Sequence, residues 1–351
     1  MRIAYPKVSV FVATYNQKVF VQGAIESILI QHYPNLEIVV GDDGSTDGTQ
    51  EILLEYKKKY PGLFKLILSE KNEGITANCN KILRECTGEY IALLGGDDIW
   101  LPGKLLNQVD LMQNKPSASL CVSKVEWFDS KTNKTMLIHP PSDFNVENMS
   151  IIDIAYHIGC AGSSMMVRRN AVPEYGFEAS LPMVSDWLFY IEVLRNGDVI
   201  FINEVLARYR RHGASMSNYP DLVFKEHMQT LFLLESKYED MKGDILNFMK
   251  KYVLLNAIEI YKKMNNYQAK YSFISEIYNA SQYELKREHL HAIYCTGEQE
   301  LKRDHFQMVL NDSPIAVLIK STLKLLLKRI NLKSKAALNR LKSYVIANIK
   351  R

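Results

Sequence analysis

Four short apolar runs punctuate the first hundred residues: VSVFVA (8–13), EIVV (37–40), LFKLIL (63–68) and YIALL (90–94). The stretches between them carry apolar residues at helical spacing, and this alternation constrains the fold more than any other feature. Val19–Gln31 places Phe20, Ala24, Ile25, Ile28 and Leu29 on one face. Thr46–Tyr60 reads as a second helix, capped by Ser45 or Thr46 and stopped by Pro61. Gly74–Cys86 and Leu101–Asn114 read as two more. Strands that alternate with helices need crossover connections. The pattern therefore predicts an α/β fold with a mostly parallel, Rossmann-like sheet covered by helices.

The rhythm changes after Asn114. SLCVSKVEWF (119–128) reads as a strand, and residues 130–148, with Pro140 and Pro141, as a long loop. SSMMVRR (163–169) and VIFINEVLARYRRH (199–212) read as further strands, with a helix over Trp187–Arg195. GASMSNYPD (213–221) is rich in turn-formers and marks a boundary. Residues 222–351 have helical periodicity almost throughout. The expected organisation is one α/β domain over residues 1–217 and a helical C-terminal extension over 218–351.

Ligands of open parallel sheets bind beyond the carboxyl ends of the strands. Three of the expected strands end in polar clusters: Thr14-Tyr15-Asn16, Asp42-Asp43 within VVGDDGSTDGT, and Gly95-Gly96-Asp97-Asp98. Neighbouring parallel strands would bring all three to one rim. An aromatic ring can stack on a nucleobase, and a carboxylate can accept from a base N–H or a ribose hydroxyl. Adjacent carboxylates can hold a hard divalent cation shared with substrate phosphates. Taken singly, DDGSTDGT is equally a turn leading into a helix cap, and Asp97-Asp98 a cap for the helix near Leu101. The glycine-rich phosphate signatures G-x-x-x-x-G-K-[ST] and G-x-G-x-x-G after the first strand are absent.

Composition narrows the class. The chain has 351 residues, 47% apolar and 23% charged, enough for a substantial core. No uninterrupted apolar run reaches 18 residues, so no transmembrane helix is expected. The N-terminal MRIAYPKVSVFVATYN alternates and lacks a small-residue cleavage site, so it reads as a strand and not a signal peptide. Five scattered cysteines without a C-x-x-C pair point to reduced thiols and a cytoplasmic setting. From Ser313 onward there are ten basic residues and no Asp or Glu. The net charge of +4 therefore becomes −6 over residues 1–312. Leu323, Leu326, Leu327 and Ile330, then Ala337, Leu338, Leu341 and Val345, recur at helical spacing in this tail. Over about 313–351 it reads as a basic amphipathic segment suited to an anionic membrane surface, or as a packed appendage with a solvated basic face. Nothing in the first half suggests nucleic-acid binding.

Taken together, VSVFVATYN, AIESILIQHYPNLEIVVGDDGSTDGT, NEGITANCNKIL, GEYIALLGGDDIWLPGKL and, more weakly, SDWLFYIEVLRNG and YRRHGASMS resemble a family 2 glycosyltransferase of the GT-A fold. The resemblance spans about residues 6–217 and is strongest in the first 110. It implies an enzyme with a nucleotide-sugar donor (UDP commonest, dTDP or GDP as alternatives), a Mn²⁺ or Mg²⁺ ion and a saccharide or lipid-linked acceptor. It places Thr14, Tyr15 and Asn16 beside the nucleoside, Asp42 and Asp43 at the base, and Asn80 near the donor diphosphate. Asp97 falls at the metal-binding carboxylate, with Asp98 beside it, and His212 where a metal or diphosphate contact occurs. Asp186 matches the acceptor-activating base of inverting members.

The sequence departs from the family pattern in four places. Gly95 stands where an acid is usual, Ser185 where Glu is common before the base, and Cys79 where Arg is frequent. The Q-x-x-R-W motif of processive synthases is absent, which favours addition of one sugar or a few. The resemblance implies metal-assisted, inverting transfer in cell-surface polysaccharide synthesis, such as lipopolysaccharide or capsule, at the cytoplasmic membrane face. The alternative is a nucleotide-sugar-binding protein of the same fold without catalysis. A nucleotidyltransferase is disfavoured because the basic, glycine-rich N-terminal loop is missing.

Overall fold

The computed structural model describes residues 5–248 apart from 142–143, 148, 160–161 and 214–219. The chain divides between Phe248 and Met249. The expectations for the basic tail lie outside the described residues.

The predicted alternation is present. β1 (Val8–Thr14), β2 (Leu36–Asp42), β3 (Phe64–Leu68) and β4 (Tyr90–Gly95) form a parallel group in the order β3-β2-β1-β4. They are joined by α1 (Val21–Leu29), α2 (Thr49–Lys59) and α3 (Ile75–Glu85). Val8, Val10, Val12, Ile38, Val39, Val40 and the run Tyr90–Leu94 are all buried. Helices cover both faces of the sheet, so these strands read as continuous apolar runs and do not alternate. α1 turns Ala24, Ile25 and Ile28 inward, and α3 turns Cys79 and Ile82 inward.

The sheet continues beyond β4 with mixed directions. β5 (Ile99–Trp100) and α4 (Lys104–Asn114) precede β6 (Ala118–Asp129). β8 (Met166–Arg168) runs antiparallel between β4 and β6. β9 (Asp198–Arg211) pairs parallel with β6 along its length and antiparallel with β5. β7 (Thr135–His139) pairs antiparallel with β6 and with no other described strand.

Several expectations are corrected here. Residues 130–148 are not a plain loop, because β7 lies within them. The five-residue run TMLIH is too short for periodicity to identify, and only pairing with β6 makes it a strand. α5 (Ile151–Gly159) was not anticipated. α2 starts at Thr49 behind Gly48 without a side-chain cap, because Ser45 is used elsewhere. α4 starts at Lys104, not Leu101, because Ile99-Trp100 pairs with β9.

The expected boundary at 217/218 also shifts. α7 (Pro220–Lys237) and α8 (Lys242–Phe248) belong with the first unit. Met228, Leu231 and Leu234 are buried. Glu226 accepts hydrogen bonds from the backbone N–H groups of Met183 (3.0 Å) and Val184 (2.7 Å), just ahead of α6 (Ser185–Arg195).

Candidate active site

The register of the parallel group places the three polar clusters together. Thr14 lies opposite Asp42, and Ala13 lies opposite both Gly41 and Gly95. The Asp43 N–H donates to Thr14 O at 3.1 Å, and the Gly96 N–H donates to Ala13 O at 2.9 Å. A Cβ at Gly96 would lie 2.3 Å from Gln17 Oε1 and 2.7 Å from Thr14 Cβ, so only glycine lets these strand ends approach. Asn16 takes a positive φ of 50°, a conformation Asn tolerates better than most residues. Its Oδ1 accepts from the Thr46 N–H and its own N–H donates to Ser45 Oγ, which ties the first strand end to the second. Tyr15 stands 45% exposed on this rim, open to a flat ligand.

The carboxylates of DDGSTDGT turn inward. Asp42 is fully buried and accepts from Ser45 N–H, Ser45 Oγ and Gln50 Nε2. Asp43 is also buried. Its Oδ1 accepts from the Glu73 N–H and its Oδ2 from the Gly74 N–H, both at 2.9 Å, which fixes the start of α3. Asp47 holds Thr49 and the Lys18 N–H.

The β4 end is built differently. Asp97 Oδ2 meets His212 Nε2 at 2.8 Å, with both side chains partly exposed. Asp97 Oδ1 has no hydrogen-bond partner among the described residues. Asp98 is buried, with Oδ1 accepting from the Arg210 N–H (2.8 Å) and Oδ2 from Ser163 Oγ. Burial, and then the neighbouring Asp97, push its carboxyl well above the usual range. A Cβ at Gly95 would lie 2.9 Å from Asp97 Oδ1 and 3.3 Å from Asp98 Oδ2. The missing acid at Gly95 thus leaves room for the two carboxylates that follow.

Arg210 was not singled out by the sequence. Its Nε donates to Asp97 O at 2.7 Å. Its guanidinium lies 4.8 Å from the Phe20 ring centre and 4.7 Å from that of Phe128. Its two terminal nitrogens have no hydrogen-bond partner among the described residues. The signal available was YRRH itself, in which only the histidine was read as functional.

Asp186 sits in the first turn of α6, as expected, and is partly exposed. Its Oδ1 accepts from the Trp187 N–H at 2.9 Å, whereas nothing else among the described residues hydrogen-bonds Oδ2. Surrounding protein pushes its pKa up to about 6, with Glu226 adding to the effect and the helix N–H groups opposing it. The helix is tied to the donor side of the rim. Thr76 Oγ1 donates to Leu181 O at 2.6 Å and lies 2.9 Å from Ser185 Oγ. Ser185, where the resemblance leads one to expect Glu often, is therefore part of a fastening between α3 and α6. Buried Cys79 is raised by burial first and then by Asp186 and Asp43, so both carboxylates are felt at one point.

Asn80, expected near the donor diphosphate, has its amide engaged by the chain. Its Nδ2 donates to Phe177 O and its Oδ1 accepts from the Phe177 N–H, both at 2.8 Å. That two-point bond holds the segment leading to α6, a role only the folded chain reveals.

A divalent cation was expected on Asp97, Asp98 and His212. Asp97 and His212 converge and suit a cation that takes its remaining ligands from substrate phosphates. Both Asp98 oxygens already accept from the chain, which leaves Asp98 less available to a cation than Asp97. No cluster of three metal-ligating side chains exists among the described residues.

Comparison with known proteins now adds to this geometry. The model of glycosyl transferase family 2 matches residues 9–176. A putative teichuronic acid biosynthesis glycosyltransferase of Bacillus subtilis, TuaG, is 30% identical over 217 residues, covering 61% of this chain and 82% of that protein. An uncharacterised protein of Mycobacterium tuberculosis is 31% identical over 218 residues, and the match spans 61% of this chain and only 62% of that relative's length.

Among solved structures, Staphylococcus aureus TarS residues 1–349 in complex with UDP-GlcNAc is 18% identical with a TM-score of 0.60, covering 78% of this chain and 80% of that one. A mannosyltransferase of Pyrobaculum calidifontis in complex with GDP-Man and Mn²⁺ is 18% identical with a TM-score of 0.54, covering 99% of this chain and 86% of that one. At such identities the likeness is one of fold, and the fold is the GT-A arrangement that the sequence led us to expect.

Proposed function

The chain belongs to glycosyl transferase family 2, and from that premise we propose that it moves one sugar, or a few, from a nucleotide-sugar donor to an acceptor hydroxyl with inversion. One observation carries the reading. Of the five aspartates at 42, 43, 97, 98 and 186, only Asp97 and Asp186 keep a carboxylate oxygen without a protein partner among the described residues. These are the two that the chemistry needs.

Asp186 is the general base. The acceptor oxygen attacks the anomeric carbon, its proton passes to Asp186 Oδ2, and the bond from that carbon to the diphosphate oxygen breaks on the opposite face. A carboxylate with a pKa of about 6 is mostly ionised at neutral pH yet basic enough to take the proton. Asp97 and His212 would hold Mn²⁺ or Mg²⁺, which supplies neutralisation of the charge on the departing nucleoside diphosphate. Arg210 adds a fixed positive charge beside them, anchored at Nε and held between two rings, and its free nitrogens can bind a phosphate oxygen. Asp98 positions that arginine through the Arg210 N–H.

On the donor side, Tyr15 stacks on the nucleobase while Thr14 and Asn16 line its edge. Asp42 and Asp43 fix the loops around it, and Asp43 keeps lone pairs for a base N–H. The complexes of TarS with UDP-GlcNAc and of the mannosyltransferase with GDP-Man support a UDP or GDP donor, with dTDP third. The naming of TuaG for teichuronic acid biosynthesis supports a cell-surface glycan as the destination.

The test is turnover of UDP-, GDP- and dTDP-sugars with Mn²⁺, Mg²⁺ or EDTA, on the wild type and Asp97→Ala. Cation-dependent hydrolysis of one donor, lost in the variant, is the expected result. Tight donor binding without turnover, even with an acceptor panel, would instead support a nucleotide-sugar-binding protein. Absence of binding to every donor would overturn both readings.

A further inference from the structure

The β6–β7 hairpin leaves eight consecutive residues, 131–138, exposed. Three of them are large and apolar: Met136 at 59%, Leu137 at 48% and Ile138 at 46% exposure. Successive strand residues point to opposite faces, so this strand presents apolar groups on both sides. Its outer edge is also unpaired among the described residues. Soluble proteins protect such edges or use them.

Charge indicates the use. SKTNKTMLIH (130–139) contains Lys131 and Lys134 and no acid. Asp129 is turned into its own loop, accepting from the N–H groups of Lys131 and Thr132, and Glu126 is paired with Arg208 at 2.8 Å. A second copy docking edge to edge would bring four lysines together, whereas an anionic surface would complement them.

The hairpin also has a place relative to the reacting groups. Asp129 lies opposite Arg211, and the Ser130 N–H donates to Arg211 O at 3.0 Å. The next residue is His212, in contact with Asp97. The root of the hairpin is thus one residue from the cation-holding pair.

We propose that the β6–β7 hairpin is a membrane-contact element that seats this rim on an anionic lipid bilayer through Met136, Leu137 and Ile138, with Lys131 and Lys134 at the headgroups. Its outer edge, unpaired among the described residues, keeps backbone N–H and C=O groups that need water or headgroup partners. Insertion is therefore shallow, at the interface and not in the hydrocarbon. Contact there would hold the reacting groups within reach of an acceptor carried on a lipid. The surface contact itself does not depend on which sugar is moved.

The test uses the full chain with phosphatidylglycerol–phosphatidylcholine vesicles. A polarity-sensitive dye is placed at Leu137→Cys in a background where Cys160 and Cys295 are Ser. The expected result is a blue-shifted, brightened dye on anionic vesicles, reversed by salt. Partitioning should weaken at least tenfold in Met136→Ser/Leu137→Ser/Ile138→Ser and about as much in Lys131→Glu/Lys134→Glu. Donor binding and the melting temperature of each variant serve as folding controls. A dye that stays in water while the protein sediments with vesicles would overturn the proposal, because another segment would then be the anchor. Absence of vesicle binding would overturn it too, as would concentration-dependent dimers abolished by the triple serine variant, since that face would then be an interface between copies.

Discussion

The ends of β2 and β4 look alike in sequence, each with two adjacent aspartates among glycines, yet the protein uses them in opposite ways. At the β2 end both oxygens of every carboxylate already accept from the chain: Asp42 from Ser45 and Gln50, Asp43 from Glu73 and Gly74, Asp47 from Thr49 and Lys18. At the β4 end the load is split. Asp98 is spent on Ser163 and Arg210, while Asp97 keeps an oxygen free. A buried carboxylate with satisfied oxygens organises backbone, whereas one with an unmet lone pair on a partly exposed edge is available to a ligand. The contrast separates architecture from chemistry among residues of one type.

The sharpest way to break this contrast is Asp97→Ala. Donor turnover should fall by about 10³-fold or more. The stability change should stay within about 0.5 kcal/mol, because the side chain is partly exposed and only His212 leans on it. A melting temperature that collapses instead would make Asp97 as architectural as Asp43.

Asp186→Asn comes next, with kcat down by about 10²–10⁴-fold and donor affinity retained, measured by steady-state kinetics and direct binding. The wild-type kcat/KM should fall below a pH of about 6 as Asp186 takes up its proton, and the residual activity of the variant should lack that limb. The stability sign is opposite to that of a salt-bridged carboxylate. The folded-state pKa of about 6 lies above the ordinary 3.8, so the folded chain holds a proton that the unfolded chain has released. The contribution of this group to stability therefore declines as pH rises through that window. Asp186→Asn should melt no lower than wild type at pH 7.

Arg210→Lys sharpens the β4 side. It keeps the charge but loses the planar fork held between Phe20 and Phe128, and a rise in donor KM with a combined loss of about 10²-fold in kcat/KM is expected.

The β2 side should respond in stability. Asp43→Asn turns an acceptor into a donor facing the N–H groups of Glu73 and Gly74, and a loss of about 1–3 kcal/mol in denaturant unfolding is expected. Asn80→Ala is the mildest change. It removes the two bonds to Phe177 for about 1 kcal/mol, with the donor KM unchanged. A donor-specific KM defect in Asn80→Ala would return that residue to the diphosphate.

Much of the framework was legible because it is local. The runs that became β1 to β4, the helices between them and the three polar strand ends all followed from periodicity and turn chemistry. The meeting of those ends on one rim followed from parallel order. Helix starts were read less well. Ser45 has the chemistry of a cap, but the competing acceptor Asp42 took its hydroxyl. TMLIH and IIDIAYHIG were too short to declare themselves before they packed.

The sequence by itself determined which residue types stand at the strand ends and therefore what chemistry the rim can perform. The tertiary structure decided which of them remain available for it. Asp97 meets His212 from 115 residues away, Arg210 reaches back 113 residues to Asp97 O, and Asn80 is claimed by Phe177 from 97 residues away. A hydrogen bond between groups so distant in sequence has no local signature. Whether a carboxylate is spent or free depends on which distant partner the packed sheet brings within about 3 Å.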